Sequence, residues 1–343
     1  MLKSLFLAVP VIAFAPVLQD DATKSEATVQ VDERLPSYRQ TSGVSGSLKS
    51  VGSDTMNNLM TLWAEGFLKH YPNVQVEIEG KGSSTAPPAL IAGTSQFGPM
   101  SRMMKSAELD DFEAEFGYKP TQLATSIDML AVYVHKDNPI AKRGLTLQQV
   151  DAIFSKTRKG GHDQNIRTWG DLGLQGDWAN KPISLYGRNS ASGTYGYFKK
   201  HALFKGDYKD EVKEQPGSSS VVQGVASDLY GIGYSGIGYK TADVACVPLA
   251  VDPQADMVEA VPANAYTGEY PLARFLWLSV NHEPGTDLDP LRAEFLKYIF
   301  SADGQLDVVK DGYYPLPGKL CVQELGKVGI DLELKPERKP VRN

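Results

Sequence analysis

A chain of 343 residues, 42% hydrophobic and 22% charged, carries enough apolar material for one or two ordinary cores, which excludes a disordered protein. Its formal net charge of -6 and pI near 5.5 exclude the broad basic face that a nucleic-acid partner requires. That charge gives no long-range attraction for anions either, so any anion affinity must be built locally.

In chain order, Lys3 precedes an apolar run over 5–18 that is short for a bilayer span and interrupted by Pro10 and Pro16. Residues 1–18 read as a secretory signal peptide, with Ala13-Phe14-Ala15 as a candidate cleavage site, and direct the mature chain to a periplasm or outside the cell. Residues 19–47 are acidic and polar, with few large apolar positions, and are expected to form a flexible leader. Val51-Gly52-Ser53-Asp54-Thr55 then runs into a helix whose Leu59, Trp63 and Phe67 recur at four-residue spacing. The alternation of Val74, Val76 and Ile78 predicts a strand, and Gly80-Lys81-Gly82-Ser83-Ser84-Thr85 leads from it into a helix with Pro87 and Pro88 in its first turn. A buried strand is expected over 129–134, and Thr146 with Gln149 forms a capping box for a helix ending near Phe154.

The tract Tyr186-Gly187-Arg188-Asn189-Ser190-Ala191-Ser192-Gly193-Thr194-Tyr195 follows a short apolar strand and opens a helix. A helix start has unpaired N–H groups and partial positive charge, which suits phosphate or sulfate. Gly193 allows close backbone approach, Ser192 and Thr194 offer hydroxyls, and Arg188 offers a planar fork matched to two oxygens of one tetrahedral group. Each of the three Gly-and-hydroxyl helix starts also reads as an ordinary capped helix, since Ser, Thr and Asp are preferred caps with or without a ligand. Their recurrence in one chain points to a convergent anion site.

Beyond this tract a helix is expected over 219–230. Gly231-Ile232-Gly233-Tyr234-Ser235-Gly236 satisfies G-x-G-x-x-G, but it follows a helix and is rich in strand formers, so it reads as a buried strand and not as a dinucleotide turn. Cys246 and Cys321 permit a disulfide in an exported chain, and both also read as buried small hydrophobes. Neither has a Cys-x-x-Cys partner and the histidines are scattered, so no metal and no cofactor is expected. A strand over 275–280 precedes a helix that starts at Asp289-Pro290 and carries Leu291, Phe295 and Ile299. The alternation of strands and helices favours open α/β lobes.

In this order and spacing, Gly52-Ser53-Asp54-Thr55, Gly82-Ser83-Ser84-Thr85, Phe97-Gly98-Pro99-Met100-Ser101-Arg102 and Arg188-Asn189-Ser190-Ala191-Ser192-Gly193-Thr194 resemble the phosphate-binding proteins of the phosphate-specific ABC transporter. The resemblance covers residues 48–320. It implies the two-lobed Venus-flytrap fold of the periplasmic binding proteins, with strands 129–134 and 275–280 crossing between lobes. Lobe 1 is then residues 48–127 plus 276–325, lobe 2 is 128–275, and 326–343 form a C-terminal tail. It further implies a monomer without catalytic activity that binds inorganic phosphate in the interlobe cleft and delivers it to a membrane permease.

Carried over by position, Arg188, Ser192, Gly193 and Thr194 match second-lobe ligands, Ser83 matches a first-lobe serine, and Asp54 and Thr55 fall at the first-helix contacts, with Ser53 beside them at the helix start as a further candidate. Where the better-known branch has an aspartate that accepts the proton of hydrogen phosphate, this sequence has Ser101. Asp54 is expected to take over that role, since a carboxylate accepts a bond from hydrogen phosphate and repels sulfate. Two other readings are another tetrahedral oxyanion such as sulfate or molybdate, and an exported phosphatase. Helix N-termini alone do not distinguish tetrahedral anions. The segment around Arg188 holds neither a histidine base nor a cluster of metal-binding carboxylates for a phosphatase.

Overall fold

The computed structural model describes residues 29–337; the expected signal peptide and the part of the expected leader before residue 29 lie outside the described residues. The strands are β1 (Ser47–Val51), β2 (Gln75–Glu79), β3 (Phe97–Met100), β4 (Thr121–His135), β5 (Leu145–Thr146), β6 (Ser184–Arg188), β7 (Lys213–Gln215), β8 (Gly231–Gly236), β9 (Val244–Cys246), β10 (Leu249–Ala250) and β11 (Ala273–Val280). One continuous sheet runs β2-β1-β3-β11-β4-β8-β6-β7, with β9 beside β4, and β5 and β10 pair separately.

Two lobes share this sheet. In the first, β1 pairs in parallel with β2 and β3, and β11 returns antiparallel to β3. In the second, β6 is parallel to both β7 and β8. Strand β4 belongs to both lobes: through Met129 it pairs with β11, and from Leu130 onward with β8, both antiparallel.

The expected strand 129–134 is therefore only the second half of a longer one. Thr125, Ser126 and Asp128 interrupt the apolar run that marks it in the sequence, yet all three are fully buried within β4. Partners meet two of these polar groups: Thr125 donates to Leu276 O at 3.1 Å, and Asp128 accepts from Arg274 and from Ile237 N, while the Ser126 hydroxyl is buried without a partner among the described residues. The return crossing lies just before β11, where Leu130 N donates to Leu272 O. Residues 275–280 thus belong to the first lobe's sheet and not to the crossing itself.

Helices cover the sheet through the faces their sequences make apolar. Asn57–Leu68 buries Leu59, Met60, Trp63 and Phe67, and the Trp63 indole donates to Gly304 O at 2.8 Å. Leu147–Phe154 begins with the reciprocal Thr146–Gln149 capping box, and Pro290–Ile299 begins with Asp289 accepting from Arg292 N. The helix expected over 219–230 is Ser218–Ala226. It ends early because Asp228 turns the chain, its carboxylate accepting from Tyr230 N and its carbonyl from Gly231 N. The glycine-rich segment 231–236 is β8, buried along its whole length.

The expected flexible leader is corrected in its described part. From residue 29 the expected leader packs on the first lobe: Leu35 is fully buried, and the Tyr38 hydroxyl lies 2.6 Å from that of Tyr71 and donates to Glu294 at 2.7 Å. Residues 327–337 of the expected C-terminal tail lie against the same lobe, with Val328 and Ile330 buried and Lys335 N donating to Arg34 O. A few anchoring side chains suffice here, which low average hydrophobicity conceals. Cys246 and Cys321 are both free, the second fully buried, so the small-hydrophobe reading holds for Cys321 and no bridge joins them.

Candidate anion site

In open α/β sheets, ligands are met at the carboxyl ends of parallel strands, where the following helix turns present their N–H groups. Five such ends converge here. Strand β1 leads to Ser53, Asp54 and Thr55; β2 to Ser83; β3 to Ser101; β6 to Arg188, Ser192, Gly193 and Thr194; β7 to Pro216, Gly217 and Ser218. First-lobe loops are knitted by backbone bonds from Gly82 N to Gly52 O and from Ser53 N to Pro99 O, both at 2.7 Å.

The lobes meet across the cleft through these residues. Thr55 Oγ1 and Thr194 Oγ1 are 2.9 Å apart, Thr194 donates to Ser101 Oγ at 3.3 Å, and Ser83 Oγ lies 3.2 Å from Ser101 Oγ while accepting from Ser101 N at 3.0 Å. Ser84 N and its hydroxyl both donate to Ala191 O. Gly82 has φ +115 and a backbone position that a Cβ would drive into the Ala191 carbonyl, so both conformation and space demand glycine. Ser192 caps the helix Gly193–His201, accepting from Thr194 N and Tyr195 N.

Asp54 does not cap its own helix. Its Oδ2 accepts from Ser218 N at 2.8 Å and Ser218 Oγ at 3.0 Å and lies 3.2 Å from a terminal nitrogen of Arg188. Arg188 is almost wholly buried; it also donates to Ser218 Oγ at 2.7 Å and to Pro216 O at 3.3 Å. Burial pulls the guanidinium below its ordinary pKa, opposed by the Asp54 charge. Two buried groups, Ser53 Oγ and Arg188 Nε, find no hydrogen-bond partner among the described residues. Buried polar atoms rarely stay unsatisfied, and both belong to residues at the carboxyl ends of the strands that meet here.

A family profile described as a PBP superfamily domain matches residues 37–303. The phosphate-binding protein PstS of Pseudomonas aeruginosa is 58% identical over 306 residues, 89% of this chain and 94% of that one. The PstS family contains this chain. A PstS from Staphylococcus haemolyticus is 28% identical over 283 residues, 82% of this chain and 84% of its own. Among solved structures, a phosphate ABC transporter substrate-binding protein from Clostridium perfringens, with bound phosphate, aligns with TM-score 0.66 and 26% identity over 79% of this chain and 99% of its own. An ABC-type phosphate transport receptor from Vibrio cholerae shares the fold, with TM-score 0.58 at 20% identity over 80% of this chain and all of that one.

All nine residues expected at the PstS site lie in the converging loops. Sequence reasoning missed four others. Ser218, behind Gly217 at the start of the helix Ser218–Ala226, is a fourth Gly-and-hydroxyl helix start, and the same signal identifies it. Tyr239 donates to the carbonyls of Asp54 and Thr55, a cross-lobe contact from an isolated aromatic without a motif. Arg274 and Asp128 form a buried ion pair at 2.7 Å inside two strands, where nothing local marks them.

The Asp311 carbonyl packs closely on Gly238 of the second lobe, and the Asp311 Oδ2 is buried and unpartnered among the described residues. Burial, with the Asp128 charge adding to it, pushes its carboxyl up to about 7. Because the folded value lies above the unfolded one, the stabilisation is complete below the ordinary carboxylate range and is lost as pH rises through about 7. Thermal melts from about pH 5 to about pH 8 should show a falling Tm, each kcal/mol amounting to about 1–2 °C in a chain of this length. In Asp311→Asn the slope should flatten; an unchanged slope would assign the pH dependence to another group.

Proposed function

We propose that this chain binds inorganic phosphate between its lobes as a monomeric, non-catalytic carrier, exported from the cytoplasm, and delivers it to the permease of an ABC transporter. The observation that carries this reading is the meeting of the Thr55, Ser83, Ser101 and Thr194 hydroxyls from both lobes at the Ser192-capped Gly193 turn, with buried Arg188 held at the cross-lobe contact of Asp54 with Ser218. The names of the relatives support it. Arg188 supplies the charged fork, the hydroxyls and the helix starts supply neutral donors, and an anion bridging both halves favours the closed arrangement through contacts that only this arrangement offers.

Discrimination falls to Asp54. All its donors meet Oδ2, so Oδ1 is the oxygen free to accept a proton from hydrogen phosphate, while sulfate brings no proton and meets a carboxylate. Calorimetric titration of ligand-stripped protein should give one-to-one phosphate binding that survives excess sulfate. In Asp54→Asn the preference for phosphate over sulfate should fall at least about tenfold, the scale of one charge-assisted hydrogen bond. A preserved preference would remove Asp54 from this role, and displacement of phosphate by sulfate from the unmutated protein would overturn the ligand assignment.

A further inference from the structure

Arg274 is not among the residues that the sequence motifs mark, and it is the most heavily engaged side chain near the cleft. It lies in the second position of β11, where the chain re-enters the first lobe, and its side chain is 2% exposed. Its Nε and one terminal nitrogen both donate to Asp128 Oδ2, at 2.9 and 2.7 Å, and the other terminal nitrogen donates to Ser101 O at 2.9 Å. The nitrogen shared with Asp128 also donates to Thr194 Oγ1 at 3.0 Å, and the guanidinium stands over the Tyr197 ring at 5.1 Å. The guanidinium is thus gripped by the crossing strand β4, by a first-lobe loop and by the second-lobe helix Gly193–His201.

We propose that Arg274 is a positioning residue of the phosphate site, turning the Thr194 hydroxyl into an obligate donor toward the ligand when the lobes close. The inference rests on the reading of the cleft as a phosphate site. The chemistry is one of proton direction. A guanidinium has donors and no acceptor, so Thr194 Oγ1 must accept from it, and the single hydroxyl proton of Thr194 must point away, toward the cleft side where Thr55 Oγ1 and Ser101 Oγ lie. The same logic orients Ser83, whose Oγ accepts from Ser101 N. An anion that offers mainly acceptors needs hydroxyls arranged in this sense, since a hydroxyl free to rotate spends part of its population presenting a lone pair. Asp128 fixes the guanidinium in place, and its second oxygen is held by Ile237 N at 3.0 Å, so the whole device is anchored to second-lobe backbone. Arg274 touches both Ser101 and Thr194 only because the lobes are together, which ties donor orientation to closure.

The test is a double-mutant cycle on phosphate affinity, with Arg274→Lys, Thr194→Val and the double variant titrated calorimetrically. Lysine keeps the charge for Asp128 but cannot hold three separate acceptors in one plane. Arg274→Lys should raise the phosphate Kd about tenfold in the unmutated background and less than about twofold when Thr194 is already valine. The same factor in both backgrounds, or no effect in either, would overturn the inference, because a purely structural role acts regardless of the Thr194 hydroxyl. If Arg274→Lys lowers Tm enough to compromise folding, Asp128→Asn with Arg274→Gln replaces the ion pair by a neutral one and enters the same cycle, with the same expectation. Loss of phosphate binding by the unmutated protein would remove the function and this inference together, whereas intact binding with additive mutants removes the inference alone.

Discussion

Replacing Arg188 by alanine should weaken phosphate binding by on the order of 3 kcal/mol, about 100-fold in Kd. Two losses act together. A bidentate, charge-assisted contact to the anion disappears, and Asp54, which lies 3.2 Å from Arg188 Nη2, is left facing the anion with only Ser218 as donor. Because the guanidinium is buried, water does not replace it cheaply. Arg188→Lys should recover part of the affinity by restoring charge without the fork. Calorimetry, paired with a thermal melt to confirm folding, measures both variants; phosphate affinity within about threefold of the unmutated value in Arg188→Ala would rule out the role assigned to it.

Gly193→Ala should abolish tight binding while leaving the ligand-free fold as stable as before. The nearest atoms that a Cβ there would meet all belong to the opposite lobe: it would sit 2.6 Å from Ser101 Oγ and closer still to Ser83 Oγ. Alanine is the better helix former, by up to about 1 kcal/mol, so the helix itself does not suffer. The cost falls on closure: the lobes must part to admit the methyl group, and donors set to converge on one anion no longer do so. A loss of about 100-fold or more in affinity is expected, because each displaced contact in the site contributes on the order of 1 kcal/mol or more. Gly196→Ala on the same helix is the control, since its nearest neighbour is Arg102 Cδ at 3.7 Å, ordinary contact, and it should bind normally. Equal behaviour of the two variants would mean that the close approach of the lobes at Gly193 is not what ligand binding requires.

The contrast between those glycines marks what a sequence can and cannot disclose. Ser53, Asp54, Ser83, Arg188 and Thr194 were legible as candidates because their loops combine glycine, hydroxyls and charge at helix starts, a local pattern with a local cause. The direction in which Asp54 points was not local: the sequence leaves open a helix cap, and only the meeting of two lobes shows its carboxylate on Ser218 and Arg188. Arg274 and Asp128 were illegible for a related reason, since a charged residue within a strand carries no periodic signal and is made tolerable only by a partner 146 positions away. Ser218 was legible in kind but passed over, its Gly217 step being the same device as the other three. In the fold, helix starts with explicit caps were legible, whereas the true extent of β4 and the docking of residues 29–46 were not, because buried Thr125, Ser126 and Asp128 and the isolated anchors Leu35 and Tyr38 run against average hydropathy.

A two-lobed architecture suggests two units that could melt independently. Strand β4 argues against that here, since its first half pairs with β11 in one lobe and its second half lies between β8 and β9 in the other, with Leu123 and 129–134 fully buried. Unravelling either lobe strips hydrogen-bonded neighbours from a strand that the other lobe needs, so the lobes are expected to unfold in one cooperative transition, seen as a single calorimetric peak. Lobe motion and lobe stability are thereby uncoupled: the cleft can open about the crossings while the resistance of each half to denaturation remains a joint property of the whole chain.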